Sequence, residues 1–302
     1  MTRLRLVVLG SAAGGGLPQW NCRCPVCALA WSGDPRVRWR TQASVAVSAD
    51  GDSWALVNCA PDVLAQIKAT PALRPRTGLR HSPIGAVLLT NGDIDHVAGL
   101  LSLREGHSFS LHATPEIHAV LRQNSIFDVL SETAVERRNA RFGEAIHLAP
   151  GLEAEIFPVP GKTALYLEKG EVEIGGEGEA TVGVELRANG ASLVYVPGCA
   201  RLSEALRQRL RGAALVLFDG TVWRDEEMIA AGVGTKTGRR MGHMPISGPE
   251  GSIAAFADLG IGRKIFVHIN NTNPILVEGS AERREAEAAG WEVAHDGMEI
   301  AL

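Results

Sequence analysis

No apolar run near the start of this 302-residue chain is long enough to cross a bilayer. The stretch Leu4–Leu9 falls far short of the roughly 20 residues a spanning helix needs, and of the apolar core of a signal peptide. It reads as a first strand, and the cytoplasm is the expected compartment. Neither sign of charge dominates. Thirty Lys and Arg against 34 Asp and Glu leave a net charge of -4, so the basic footprint that nucleic acid requires is absent. No repeat, low-complexity tract or Pro/Ser-rich linker divides the chain. A single domain over residues 1–302 is therefore expected, with halves of about 1–150 and 151–302. Cysteine is scarce and odd in number, five in all, which argues against a disulfide framework. What is plentiful is apolar material: 45% hydrophobic residues suffice for a full core without covalent staples.

Periodicity predicts strands over Leu4–Leu9, Ser44–Ser48, Trp54–Asn58, Ile84–Thr90 and Phe109–His112 in the first half. In the second half it predicts Ala154–Val159, Thr181–Leu186, Ser192–Val196, Leu215–Phe218, Lys264–Ile269 and Glu292–Ala294. Helical patterns fall at Pro61–Lys68, Val97–Arg104, Pro115–Arg122, Ser203–Leu210, Glu250–Asp258 and Ala281–Ala289. Asp50-Gly51 and Asn189-Gly190 are hairpin dipeptides, while later strands alternate with helices. Mixed sheets in an α/β (α+β) protein are the consequence, and two of them covered by helices on both outer faces satisfy the order. Glu168–Glu179, rich in Gly and Glu, is expected as an exposed loop.

Three of the five cysteines fall within six residues, Cys22-Arg23-Cys24-Pro25-Val26-Cys27. A tight turn stiffened by proline lets three thiolates converge on one tetrahedral ion, of which zinc is the usual example. The fourth position would go to a distant histidine in a structural site or to water in a catalytic one. Cys59 and Cys199 stand alone in apolar strand ends and read as small core residues.

The buried pattern Ile84–Thr90 runs straight into Asn91-Gly92-Asp93-Ile94-Asp95-His96. Oxygen-bearing side chains and an imidazole at a strand's carboxyl end can share iron, manganese or zinc. The same residues can equally cap a helix, Asp93 or Asp95 accepting first-turn amides, and residue chemistry leaves both readings open. Gly10, Gly14, Gly15 and Gly16 hint at a phosphate loop, but no Gly-Lys-Ser/Thr follows, so close packing is the better reading.

Thr90-Asn91-Gly92-Asp93-Ile94-Asp95-His96-Val97-Ala98-Gly99 resembles the metallo-β-lactamase pattern T-H-x-H-x-D-H-x-x-G, with Asn91 and Asp93 replacing its first two histidines. That replacement, the cysteine motif, and the segments Phe218–Trp223, Met241–Ser247, Phe266–Pro274 and His295–Ile300 resemble the PqqB family within that superfamily. The resemblance spans nearly the whole chain and implies a four-layer αββα sandwich. It implies that Asp95 and His96 hold a functional metal, expected to be Fe2+. It also implies that His268 joins Cys22, Cys24 and Cys27 in a structural Zn2+ site, although His268 matches the last metal-ligand histidine of the superfamily as well. With His268 so used, Asp219 and His243 become the expected further ligands, and Asp93, Asp95, His96, Asp219 and His243 the expected catalytic group. The remaining histidines read as bystanders.

The implied role is biosynthesis of pyrroloquinoline quinone (PQQ), by iron-dependent hydroxylation of the tyrosine moiety of a glutamate-tyrosine precursor. Two alternatives stand beside it: a non-enzymatic carrier of the quinone or its precursor toward export to the periplasm, and a metal-dependent hydrolase. The implied partners are a dipeptide-like precursor, the quinone itself and other proteins of the pathway, with a homodimer open to it.

Overall fold

A computed structural model describes residues 3–168, 170 and 173–302. Apolar strands with two buried faces need cover on both sides. The chain supplies it by building one pattern twice. The first sheet comprises β1 (Arg5–Gly10), β2 (Ser44–Ser48), β3 (Trp54–Val57), β4 (Ile84–Leu88), β5 (Phe109–Ala113) and β6 (Val135–Asn139). The second comprises β7 (Ile146–Ala149), β8 (Leu152–Pro158), β9 (Val182–Ala188), β10 (Ala191–Val196), β11 (Leu215–Asp219), β12 (Arg263–Val267) and β13 (Trp291–Val293). The last strand, β14 (Glu299–Ala301), returns to the edge of the first sheet beside β1, giving the order 14-1-2-3-4-5-6 against 13-12-11-10-9-8-7. In each sheet the early strands are antiparallel and the later ones parallel. The expected mixed sheets are therefore observed.

The inner faces meet in one core: Leu6, Val8, Val45, Val57 and Leu88 from the first sheet pack with Ile156, Val184, Leu193, Leu217 and Ile265 from the second. Helices cover the outer faces. On the first sheet lie α2 (Val63–Ala69), α3 (Ile94–Val97) and α4 (Pro115–Arg122). On the second lie α1 (Pro25–Ser32), α5 (Glu204–Leu210), α7 (Ser252–Ala255) and α8 (Ala281–Ala288), with the short α6 (Glu227–Ala230) in a connecting loop. This is the αββα sandwich.

The Asn189-Gly190 turn closes β9 onto β10 with φ of 54° and 80°, the primed-turn geometry those residue types favour. Several expectations need correction. The helix expected over 97–104 is a single turn, α3, followed by 3₁₀ turns at Ala98–Leu103, and the one expected over 250–258 shrinks to α7. Strands β6, β7 and β14 and helices α1 and α6 had no counterpart among the predicted elements. β6 reads VERRN with only Val135 buried, so its identity comes from pairing with β5 and not from an apolar pattern. α1 hides behind the cysteine motif: Cys24 caps it, Pro25 opens it and Gly33, at φ 74°, ends it. Within the expected exposed loop 168–179, residues 169, 171 and 172 lie outside the described residues, and Glu168 itself is nearly buried among cations.

β4, β11 and β12 all point their carboxyl ends to the same rim. Ligand sites of sheets with parallel strands form at such ends, and there the titratable residues gather.

Candidate metal centre

After β4 the chain turns at Thr90, whose backbone N–H and hydroxyl both donate to Asn58 Oδ1 at 2.9 and 3.0 Å. Asn91 follows. Its Oδ1 accepts the backbone N–H of Asp93 at 3.0 Å and lies 2.7 Å from His96 Nδ1. An amide oxygen only accepts, so Nδ1 carries the ring proton and Nε2 presents a lone pair. That Nε2 is buried without a hydrogen-bond partner, 3.9 Å from Asp95 Oδ2. α3 is anchored here by backbone bonds to the end of β3, with Cys59 N–H donating to His96 O and Gly99 N–H to Cys59 O.

Across the rim, His268 follows β12 with φ of 54°, a left-handed backbone uncommon for a residue with a side chain. Its Nε2 lies 3.0 Å from Asp95 Oδ2 and its Nδ1 2.9 Å from Thr221 Oγ1. Thr221 has one hydroxyl proton, and its shortest acceptor is Asp219 Oδ1 at 2.6 Å. With that proton committed, Thr221 Oγ1 accepts from His268 Nδ1, so the neutral ring also turns a lone pair toward Asp95. Three acceptor atoms, His96 Nε2, Asp95 Oδ2 and His268 Nε2, thus converge within 4.8 Å of one another. Only a cation, a proton or a metal, reconciles them.

Asp219, fully buried at the end of β11, accepts four hydrogen bonds. These come from Thr221 N–H and hydroxyl on Oδ1, and from Cys199 N–H and His243 Nδ1 on Oδ2. His243 lies 2.7 Å from that oxygen and its ring stacks at 5.1 Å on His268. Asp219, His243 and His268 form a second candidate triad that shares His268 with the first.

The cysteine cluster is separate. The sulfurs of Cys22, Cys24 and Cys27 lie within 4.8 Å of one another. Asn271, and not His268, sits on them: its Nδ2 is 3.3, 3.7 and 3.3 Å from the three sulfurs. The expectation that His268 completes this site is corrected here. The left-handed turn at His268 directs its ring to Asp95 and Thr221, and the chain needs three more residues to reach the thiols.

A family model described as a Beta-lactamase superfamily domain matches residues 53–269. A coenzyme PQQ synthesis protein B from Methylobacterium nodulans is 60% identical, over 99% of this chain and 100% of that protein. One from Xanthomonas oryzae pv. oryzae is 53% identical, over 99% of this chain and 100% of that protein. The chain belongs to the coenzyme PQQ synthesis protein B family. The crystal structure of Zn(2+)-bound PqqB from Methylobacterium extorquens superposes with a TM-score of 0.97 at 58% identity, covering 99% of this chain and 100% of that one. A diphosphatase of the PhnP family, 24% identical with a TM-score of 0.70 over 99% of this chain and 97% of that one, shares the fold.

In this member of the family the electrostatics follow from enclosure. Burial opposes ionisation of Asp95, yet the neighbouring His96 charge and the hydrogen bond from His268 prevail, holding its carboxyl below the usual range. Burial pushes His96 down. For His268 the burial penalty is outweighed by the Asp95 hydrogen bond and charge, and its pKa rises. Burial of the Cys24 thiol pushes it up to about 12, so only a bound cation would hold Cys24 as a thiolate at neutral pH.

The structure places Asp95 and His96 in one candidate triad and Asp219 and His243 in another, with His268 common to both. Asp93 lies outside these triads; its backbone carbonyl accepts the first amides of α3 from His96 and Val97, while its charge acts on His96 and His268. Sequence reasoning missed Thr221 and Asn271. Both sit inside segments that resemble the family, Phe218–Trp223 and Phe266–Pro274, but neither is a residue type that announces metal chemistry.

Proposed function

We propose that this protein acts in PQQ synthesis as an iron-dependent oxygenase that hydroxylates the tyrosine ring of a glutamate-tyrosine-derived precursor. One observation carries the reading: two imidazole nitrogens and one carboxylate oxygen converge, with His96 Nε2 buried and unpartnered. That donor set, with positions left open, suits non-haem iron(II). Bound there, iron would supply oxygen activation.

The protein's own residues do the rest. Asn91 fixes the His96 tautomer and Thr221 that of His268, so both Nε2 atoms face the cation without reorganisation. Asp95 contributes the negative charge. Asp219 holds His243 through Nδ1, leaving His243 Nε2 free to take the proton of a phenol; the side chain is 17% exposed and within reach of a substrate. Asn91 occupies a position where the superfamily pattern has a ligand histidine, but its oxygen is engaged with His96. A two-metal hydrolytic clamp is correspondingly hard to build. Zinc on Cys22, Cys24 and Cys27 has a structural role in this reading, tying α1 to the loop after β12.

Protein reconstituted with ferrous iron and supplied with a two-electron reductant such as ascorbate should consume oxygen when given a glutamyl-tyrosine substrate, placing one oxygen atom on the tyrosine ring, detectable by mass, and releasing the other as water. Asp95→Ala and His96→Ala should reduce that turnover to background, and Asn91→Ala should weaken iron binding by about 10- to 100-fold. Undiminished oxygen uptake in either of the first two variants sinks the proposal.

A further inference from the structure

Beside the metal centre, two loops meet around one carboxylate. Lys162 Nζ lies 3.0 Å from Glu168 Oε1, Arg240 Nη2 2.9 Å from Oε2, and Lys236 Nζ 3.7 Å from the same oxygen. The Lys162 and Glu168 side chains are 10% exposed, whereas Lys236 and Arg240 are 37% exposed and open outward. Among the described residues, three cations face this one anion, an excess of positive charge in a partly desolvated place. Surface ion pairs are usually one to one, and an unbalanced set of this kind attracts a further anion.

Its position ties it to the chemistry. Tyr166, two residues before Glu168, donates its hydroxyl to the carbonyl of Gly92 at 2.8 Å, in the turn that carries Asp93 and Asp95. Thr181, whose hydroxyl donates to the Lys162 carbonyl, bridges to Asn91. Gly242, at φ 90°, precedes His243 and lies against the Lys162 methylenes, where a Cβ would come within 3.1 Å of Lys162 Cγ. The cationic cluster therefore adjoins both Asn91 and His243.

We propose that Lys162, Lys236 and Arg240 form a carboxylate subsite next to the metal centre, in which Glu168 occupies the place of a substrate carboxylate. The inference rests on the oxygenase reading for its substrate class, a small acidic peptide or quinone acid. Its physical content is binding, independent of turnover. Glu168 is stabilised as an anion chiefly by the Arg240 hydrogen bond, which holds its carboxyl down at about 2, so it competes fully ionised at any neutral pH.

The test is calorimetric titration of iron-loaded protein under argon with L-glutamyl-L-tyrosine and with its fully amidated analogue. Native protein should prefer the acidic peptide. Glu168→Gln should tighten the acidic peptide several-fold and leave the amide unchanged, because only a charged ligand competes with that carboxylate. Arg240→Gln should weaken the acidic peptide by about tenfold, the loss of one charge-assisted hydrogen bond, with Lys236→Gln as a second variant of equal exposure. Weaker or unchanged acidic-peptide binding in Glu168→Gln would mean that the cluster is a structural ion-pair network, and would overturn the proposal. Equal loss of both peptides in both cation variants, or no preference in native protein, would overturn it as well. Failure of oxygen uptake with these affinities intact would discard the oxygenase reading alone.

Discussion

Glu227 shows how one side chain can set a pH response. Its two oxygens accept Thr272 hydroxyl and Trp223 N–H at 2.5 and 2.6 Å, yet burial raises its carboxyl from 4.5 to about 7. The folded protein thus holds this proton more tightly than the unfolded chain. The resulting stability is fully present below the unfolded value and is lost as pH rises to about 7, on the order of 3 kcal/mol across that window. Glu227→Gln removes the titration at the cost of one mismatched hydrogen bond. The advantage in melting temperature of the native protein over the Glu227→Gln variant should therefore shrink steadily between about pH 5 and 8; a constant difference would show that Glu227 does not titrate there. Nothing in the sequence around Glu227 distinguishes it from the chain's other acids, because its burial depends on packing against Thr272, which lies far along the chain. Asp95 and His96, by contrast, stood out through the resemblance to the metallo-β-lactamase pattern, since their spacing after a buried strand fits a helix cap equally well.

Among the elements, α3 illustrates where periodicity fails. The apolar pattern over 97–104 is real, but Gly99 interrupts it, and the backbone there presses so closely on β3's exit that an added Cβ would meet the Ala60 carbonyl at 2.1 Å. The last glycine of the T-x-x-x-x-D-H-x-x-G segment is required for space and not for a turn. Gly99→Ala should destabilise the protein by about 3 kcal/mol, read as a lowered denaturation midpoint, and should disturb His96, whose carbonyl accepts from Cys59 in the same contact. Retained stability would show that the 3₁₀ segment can shift aside. Edge strands were the other illegible elements, since β6 and β14 expose charged residues and depend on a neighbour for their hydrogen bonds.

Across the molecule, two candidate cation pockets rest on different foundations. The thiol cluster is contained within six consecutive residues and needs only Asn271 from afar; the second pocket draws Asp95 from the first sheet and His268 from the second. They should fail separately. In element-resolved metal analysis, Cys24→Ala should lose zinc and several degrees of melting temperature while His96→Ala keeps its zinc and its stability. Loss of both metals in either variant would show one coupled site.

Residue order alone was enough to specify most strands of the core, their mixed pairing and the thiol triplet, because each rests on local spacing, whereas Asp95 and His96 stood out through the resemblance to the metallo-β-lactamase pattern. The partner assignment of His268 required the folded chain. A single left-handed residue after β12 directs its ring to Asp95 and away from the cysteines, and a backbone torsion of that kind leaves no mark on composition or periodicity. The Glu168 cluster is of the same sort: four charges from two separate loops acquire meaning only when the second sheet brings those loops beside Asn91 and His243.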